Sequence, residues 1–155
     1  MEEMVIIGTG GFGREVAWLH ACLGAAAPRL KGWIGTSDSG PSLMGHPILG
    51  DDDWALAHLS RACGFGVAIG DPKRRREVAG RYESAGFQAV TLIHPAAQMG
   101  PQVTLGAGCI ICAGAVLTVD IRLGRHVIVN LNATIGHDAV LGDFVTLAPG
   151  VHLSG

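Results

Sequence analysis

The sequence has no run of about 18 apolar residues, the length an apolar helix needs to cross a bilayer, although 48% of its 155 residues are hydrophobic. The basic n-region of a secretory signal is also missing: Met1-Glu2-Glu3-Met4 is acidic and leads straight into an apolar segment. A cytoplasmic chain is therefore expected. Concentrated positive charge is absent as well, with 11 Lys and Arg against 13 Asp and Glu and a formal net charge of −2. The one basic run, Arg74-Arg75-Arg76, falls in a helical pattern beside Glu77 and reads as a solvated helix face, which excludes a nucleic-acid patch. Cysteine is sparse. Cys109 and Cys112 spell C-x-x-C, but no further ligands lie at zinc spacing, so no metal site is expected, and Cys22 and Cys63 complete a set of structural thiols.

What the sequence does have is a six-residue period. From Ile93 every sixth residue through Met99, Leu105, Ile111 and onward to Leu153 is aliphatic. Four residues after each, from Ala97 through Cys109 and Ala133 to Val151, the residue is small or apolar. Glycine often follows the aliphatic position directly, as at Gly100, Gly106, Gly124, Gly136 and Gly142. A helix repeats near 3.6 and a strand at 2, so this period fits neither. It is the signature of a parallel β-helix, in which short strands turn corners and stack one coil on the next. The aliphatic residue is expected to fill the coil.

The first ninety residues read differently. Met4–Ile7 is a strand, followed by Gly8-Thr9-Gly10-Gly11-Phe12-Gly13 and an amphipathic helix. Gly8, Gly10 and Gly13 match G-x-G-x-x-G in its strand-turn-helix context, where the helix N-terminus offers free N–H groups to a phosphate. A second strand is expected at Gly32–Ile34, an extended piece at Pro47–Leu49, a third strand at Val67–Ile69 and a last one at Phe87–Leu92. Asp51-Asp52-Asp53 opens a helix reaching about Ala62, with capping as the job of the carboxylates, and Asp71-Pro72 opens another that ends at Gly86. The second strand runs into Gly35-Thr36, with an acid delayed to Asp38, and the segment is too short for a six-stranded dinucleotide fold. A mononucleotide or nucleotide-sugar suits it better than NAD. The expected architecture is a small α/β Rossmann-like domain over residues 1–92, then a left-handed parallel β-helix over residues 93–155.

The segment GTGGFGREV, then IGDPKRRREV, then HPAAQMG running into hexads that contain GHD, resembles the sialic-acid O-acetyltransferase-like family of bacterial sugar acyltransferases. Relatives in that family include UDP-4-amino-sugar and GDP-perosamine N-acetyltransferases. The resemblance implies a left-handed coil, an exception to the right-handed crossover rule, and a C3 homotrimer. It implies a nucleotide-sugar held by the first domain, through Gly8, Gly10, Gly11, Phe12 and Gly13, through Thr36 and through Gly70. It implies acetyl-CoA as co-substrate along the β-helix.

Within the hexads, His137 lies two past Ile135 and should stand outside the coil near a corner. The resemblance implies that His137 is the general base, with Asp138 fixing its tautomer, Asn130 in contact with the site and the main-chain N–H of Gly155 stabilising the oxyanion. Thr146, Phe12 and Gly35-Thr36 stand where amino-sugar enzymes often carry a second histidine, a polar or basic residue, and paired acids.

The expected activity is transfer of an acetyl group from acetyl-CoA to an amine or hydroxyl of a sugar. Acylation of a non-sugar acceptor and a non-catalytic, trimeric nucleotide-sugar-binding scaffold remain open alternatives. The hexads stop mid-coil at Gly155, so a truncated coil with little activity of its own is the expectation for this stretch.

Overall fold

The computed structural model describes residues 1–36 and 40–155; Asp38, noted above as the delayed acid, lies outside them. The chain divides into two compact units, Met1–Val90 and Thr91–Gly155. Among the described residues no helix is long and apolar enough to cross a membrane.

In the first unit β1 (Glu3–Ile7), β2 (Arg29–Ile34), β3 (Ser42–Leu43), β4 (His46–Gly50) and β5 (Gly64–Val67) form one sheet in the order β3-β4-β2-β1-β5. All pairs are parallel except β3 with β4. Helices α1 (Gly11–Leu23), α2 (Asp52–His58) and α3 (Pro72–Ser84) cover it. Parallel strands need both faces covered, and β1 is accordingly a continuous apolar run, with Met4 through Ile7 all buried. Trp33 is fully buried and donates its indole N–H to the Leu43 carbonyl at 2.9 Å. On α3, Tyr82 packs between Phe65 and Phe87, with ring centroids 5.2 and 5.5 Å away.

Three expectations are corrected here. The third strand begins and ends earlier than Val67–Ile69, because beyond Ala68 the carbonyls of Ile69 and Gly70 go to the Arg75 guanidinium instead of a neighbouring strand. Phe87–Leu92 is not a strand of this sheet. It touches β5 at the single bridge Phe65–Ala89, and Leu92 pairs with Ile110 instead. Helix α2 stops at His58, where Arg61 reaches back to the carbonyls of Leu56 and Leu59 at 2.9 and 3.0 Å and so satisfies the last turn from outside.

The second unit is built from two-residue strands starting every six residues. They are β6 (Leu92–Ile93), β7 (Gln98–Met99), β8 (Thr104–Leu105), β9 (Ile110–Ile111), β10 (Val116–Leu117) and β11 (Arg122–Leu123). They continue as β12 (Ile128–Val129), β13 (Thr134–Ile135), β14 (Val140–Leu141), β15 (Thr146–Leu147) and β16 (His152–Leu153). Every third strand pairs in parallel, which makes three sheets, β6-β9-β12-β15, β7-β10-β13-β16 and β8-β11-β14. One coil is thus 18 residues, in the arrangement of a left-handed parallel β-helix. Its core is the two periodic sets read from the sequence, Ile111, Leu117, Leu123, Val129, Ile135 and Leu141 with Cys109, Ala115, Ile121, Val127, Ala133 and Ala139. Met99 and Leu153, in the same register, are 43% and 37% exposed.

The corners carry a second periodic feature. Gln102, Gly108, Gly114, Asp120, His126, Asn132, Asp138, Phe144 and Gly150 all adopt left-handed backbone angles, with φ between 53° and 75°. Six of these are not glycine, and each costs about 1–2 kcal/mol in that conformation. The geometry is held by pairing. The N–H of Asp120, His126, Asn132, Asp138 and Phe144 each donates to a carbonyl 19 residues earlier, at 2.8–3.2 Å. His126 and Phe144 also stack ring on ring, with centroids 5.1 Å apart. The glycine after the aliphatic residue has a different job: it gives room to the chain one coil above. A Cβ on Gly106 would lie 2.6 Å from the Arg125 N and 2.7 Å from the Gly124 O, and one on Gly124 would lie 2.6 Å from the Asp143 N.

Two outcomes follow from this packing. Gly106→Ala destabilises the β-helix by about 1–3 kcal/mol, as read from urea denaturation. The second concerns Tyr82, whose hydroxyl donates to Asp52 Oδ1 at 3.0 Å. Burial first, and the negative charge of Asp52 next, push its ionisation far above the ordinary phenol range. A folded-state pKa above the unfolded value of about 10 gives stability that is present below that pH and lost as pH rises through it. The first unit therefore weakens above about pH 10, and Tyr82→Phe flattens that fall while removing about 1 kcal/mol at neutral pH.

Candidate functional site

Two regions carry chemistry, one in each unit. In the first, residues from the C-terminal ends of β1, β2 and β5 surround a cavity of about 560 Å³. The crevice outside the carboxyl ends of parallel strands is where open α/β sheets hold ligands. Gly8, Gly10, Gly11, Phe12, Thr36 and Gly70 all line it. Gly13 does not. It sits where helix meets strand, and a Cβ there would stand 2.1 Å from the Gly8 carbonyl oxygen. Gly8 itself has φ 109°, and a Cβ would approach the Ala68 carbonyl to 2.8 Å.

Three helix N-termini face this cavity, through Gly10 and Gly11 of α1, Asp51 and Asp52 of α2, and Gly70 and Arg74 of α3. Two are closed by their own side chains. Asp51 Oδ1 accepts from the Trp54 N–H at 2.8 Å and Asp71 Oδ1 accepts from the Arg74 N–H at 2.7 Å. The third, α1, begins at Gly10 with no side-chain cap and no acid in its first turn. Among the described residues no side chain caps its leading N–H groups, which leaves them open to a ligand with the positive end of the helix dipole behind them. Thr9 closes the floor by donating its hydroxyl to the Thr36 carbonyl. Carboxylate clusters able to hold a metal are absent among the described residues. The acids have partners instead: Arg81 pairs with Asp53 at 2.7 Å and with Asp52 at 3.6 Å.

Sequence reasoning missed Asp51, Asp52 and Arg74 as cavity residues and misread Arg75. The side chain of Arg75 is not solvated; it is 1% exposed. Its Nη1 donates to the Ile69 and Gly70 carbonyls at 2.7 and 2.9 Å. The cap spacings around Asp51 and Asp71 were readable, and each cap is a signal that a helix N-terminus, and so a crevice wall, begins there.

In the second unit, His137 and Asp138 form the corner between β13 and β14. Along an extended chain successive side chains point to opposite faces. The left-handed angle at Asp138, φ 60°, breaks that alternation and sets its carboxylate beside the preceding ring. His137 Nδ1 lies 2.7 Å from Asp138 Oδ2, and both side chains are about 70% exposed, at 69% and 74%. Gly155 stands one coil above. A Cβ on it would lie 2.6 Å from the His137 carbonyl oxygen and 2.8 and 2.9 Å from Cε1 and Nδ1 of the ring. Asn130 is turned onto its own corner, where its Oδ1 accepts from the Leu131 N–H at 2.7 Å. Thr146 lies on β15. On β16, His152 Nδ1 meets the Thr134 hydroxyl at 2.9 Å.

Residues 3–82 match the profile of the PglD N-terminal domain. The chain belongs to that family. It is similar to the GDP-perosamine N-acetyltransferase of Escherichia coli O157:H7, 31% identical over 91 residues, which make up 59% of this chain and 41% of that protein. The matched stretch thus covers less than half of the curated relative. Among solved structures the chain is similar to the acetyltransferase domain of PglB from Neisseria gonorrhoeae FA1090 in complex with acetyl coenzyme A, with TM-score 0.91 and 34% identity, covering 99% of this chain and 74% of that one. It is also similar to a point mutant of perosamine N-acetyltransferase from Caulobacter crescentus in complex with CoA and GDP-perosamine, with TM-score 0.85 and 32% identity, covering 99% and 71%. The PglD-domain match lies on the unit that holds the cavity, and the structural likeness runs through the hexads as well.

The two kinds of glycine around the cavity give a direct test. Gly13→Ala lowers the stability of the first unit by about 1–3 kcal/mol, because backbone must move. Gly70→Ala, whose Cβ would meet nothing within 4 Å, leaves it within about 0.5 kcal/mol. Thermal or urea melts of the two variants check this.

Proposed function

We propose that the protein is an acetyl-CoA-dependent N-acetyltransferase acting on a nucleotide-linked amino sugar in glycan biosynthesis. The observation that carries this reading is the exposed His137–Asp138 pair beneath Gly155 on a hexad corner. Acetyl-CoA and GDP-perosamine in the complexes of the similar proteins support the two substrates. The uncapped N-terminus of α1 and the glycine-lined cavity fit the diphosphate of a nucleotide-sugar. The finer assignment to the sialic-acid O-acetyltransferase-like group, a homotrimer through the β-helix and a cytoplasmic location belong to the same proposal.

The chemistry follows from the proton positions. A carboxylate only accepts hydrogen bonds, so with Asp138 ionised the proton of His137 sits on Nδ1 and is donated to Oδ2. Nε2 is then the free base, aimed at solvent and at an incoming substrate. The neutral amine of the sugar attacks the thioester carbonyl, and its surplus proton passes to His137 Nε2. The imidazolium that forms is stabilised by Asp138. The tetrahedral oxyanion takes the main-chain N–H of Gly155. Collapse expels the CoA thiolate, which recovers the proton from His137. Thr146, in place of a second histidine, leaves one imidazole to serve as both acceptor and donor of the proton.

His137→Ala lowers kcat for thiol release from acetyl-CoA by about 10²–10⁴-fold, with KM for the nucleotide-sugar little changed. Asp138→Asn keeps a residue that tolerates the left-handed corner and removes the charge, so its loss of kcat is smaller and its melting temperature is unchanged. GDP- and UDP-linked amino sugars with their hydroxyl counterparts are the acceptors to compare. Turnover of the hydroxyl compounds alone would overturn the N-acetyl reading. Full activity in His137→Ala would overturn the base assignment.

A further inference from the structure

The Arg75 guanidinium is buried, and it sits by the first turn of α3, at the positive end of its own helix dipole, where a cation is disfavoured. Burying a charge costs several kcal/mol before its partners repay it, and an apolar side chain of similar volume usually serves stability as well or better. Arg75 Nη1 donates to the carbonyls of Ile69 and Gly70, two residues of the cavity wall. Backbone carbonyls turned into the crevice would repel a phosphate. Drawn back onto the guanidinium, they leave Gly70 presenting its α-carbon to open space, beside the first turn of α3 and Arg74.

We propose that Arg75 is a positioning residue for nucleotide binding: by holding both carbonyls it keeps the Ile69–Gly70 wall turned away from the crevice and open to the diphosphate of the ligand. This rests on the nucleotide-binding reading of the cavity given above. The step it controls is binding, not acyl transfer, so it acts on one substrate only.

The test uses the full chain with UDP and GDP as calorimetric probes, and acetyl-CoA with a nucleotide amino sugar for kinetics. Arg75→Met removes the fork and the charge together; Arg75→Lys retains the charge on a side chain without the planar two-point fork. Arg76→Met, on the exposed side of the same helix, is the control. The expected result is a rise of at least tenfold in Kd and in the nucleotide-sugar KM for Arg75→Met. A smaller rise is expected for Arg75→Lys, with kcat and the acetyl-CoA KM within twofold of wild type in both. A purely structural role would move all of these parameters together with the melting temperature. Wild-type Kd in a folded Arg75→Lys protein overturns the proposal and leaves the nucleotide reading standing. Failure of the unaltered protein to bind either nucleotide overturns both.

Discussion

The β-helix depends on backbone pairing between residues one coil apart. From Asp120 to Gly150 the left-handed residue of each corner donates its N–H to a carbonyl 19 positions back, as from Asp138 to Val119 at 3.2 Å. That pairing locks the coil at 18 residues. A fixed coil length then stacks like on like: Ile135 lies over Leu117 and under Leu153 in one sheet. It also brings the chain above so close that Gly136 has no room for a side chain, with a Cβ 2.6 Å from the Gly155 N. The reactive corner is a product of the same constraint. His137 and Asp138 are ordinary sequence neighbours, and the corner angle turns them into a hydrogen-bonded pair.

The α/β unit solves a different problem with the same currency of backbone groups. Its parallel strands end at a crevice, and helices begin there with N–H groups that need partners. Asp51 and Asp71 satisfy two of the helices from within. The third is left open at Gly10, and the sequence there has neither a capping side chain nor an acid. An unsatisfied helix start is a binding feature because the missing partner has to come from a ligand or from water. Arg75 belongs to the same logic on the carbonyl side. It gathers acceptors that would otherwise face an anion.

How much could be read in advance depended on whether the signal was periodic or three-dimensional. The hexads were legible because each inward position recurs in the sequence, so the core from Cys109 to Leu141 could be named residue by residue. The outward placement of His137 followed from the same register. Caps were legible at Asp51 and Asp71, since an Asp before a helical pattern has a local physical meaning. The glycine turn was legible as a cavity wall, and its members divide as the motif does: Gly10 lines the cavity, while Gly13, the third glycine, supports helix–strand packing. Phe87–Leu92 looked like a strand because its residues favour one. Whether such a segment joins a sheet depends on which edge is free and where the chain must go next. Arg75 looked like its neighbours Arg74 and Arg76, because composition cannot tell which of three consecutive arginines points inward.

The sequence alone therefore determined the periodic half of the protein, the glycine turn with its helix, and the residue types available for proton transfer, because those are local or repeating properties of the chain. Tertiary structure decided the rest. It chose which side chain of the arginine run is buried, which helix start stays open, and that the Asp138 carboxylate meets the His137 ring with Gly155 above it. These depend on where distant backbone groups lie, and the distances between them are set only when the sheet and the coils have closed.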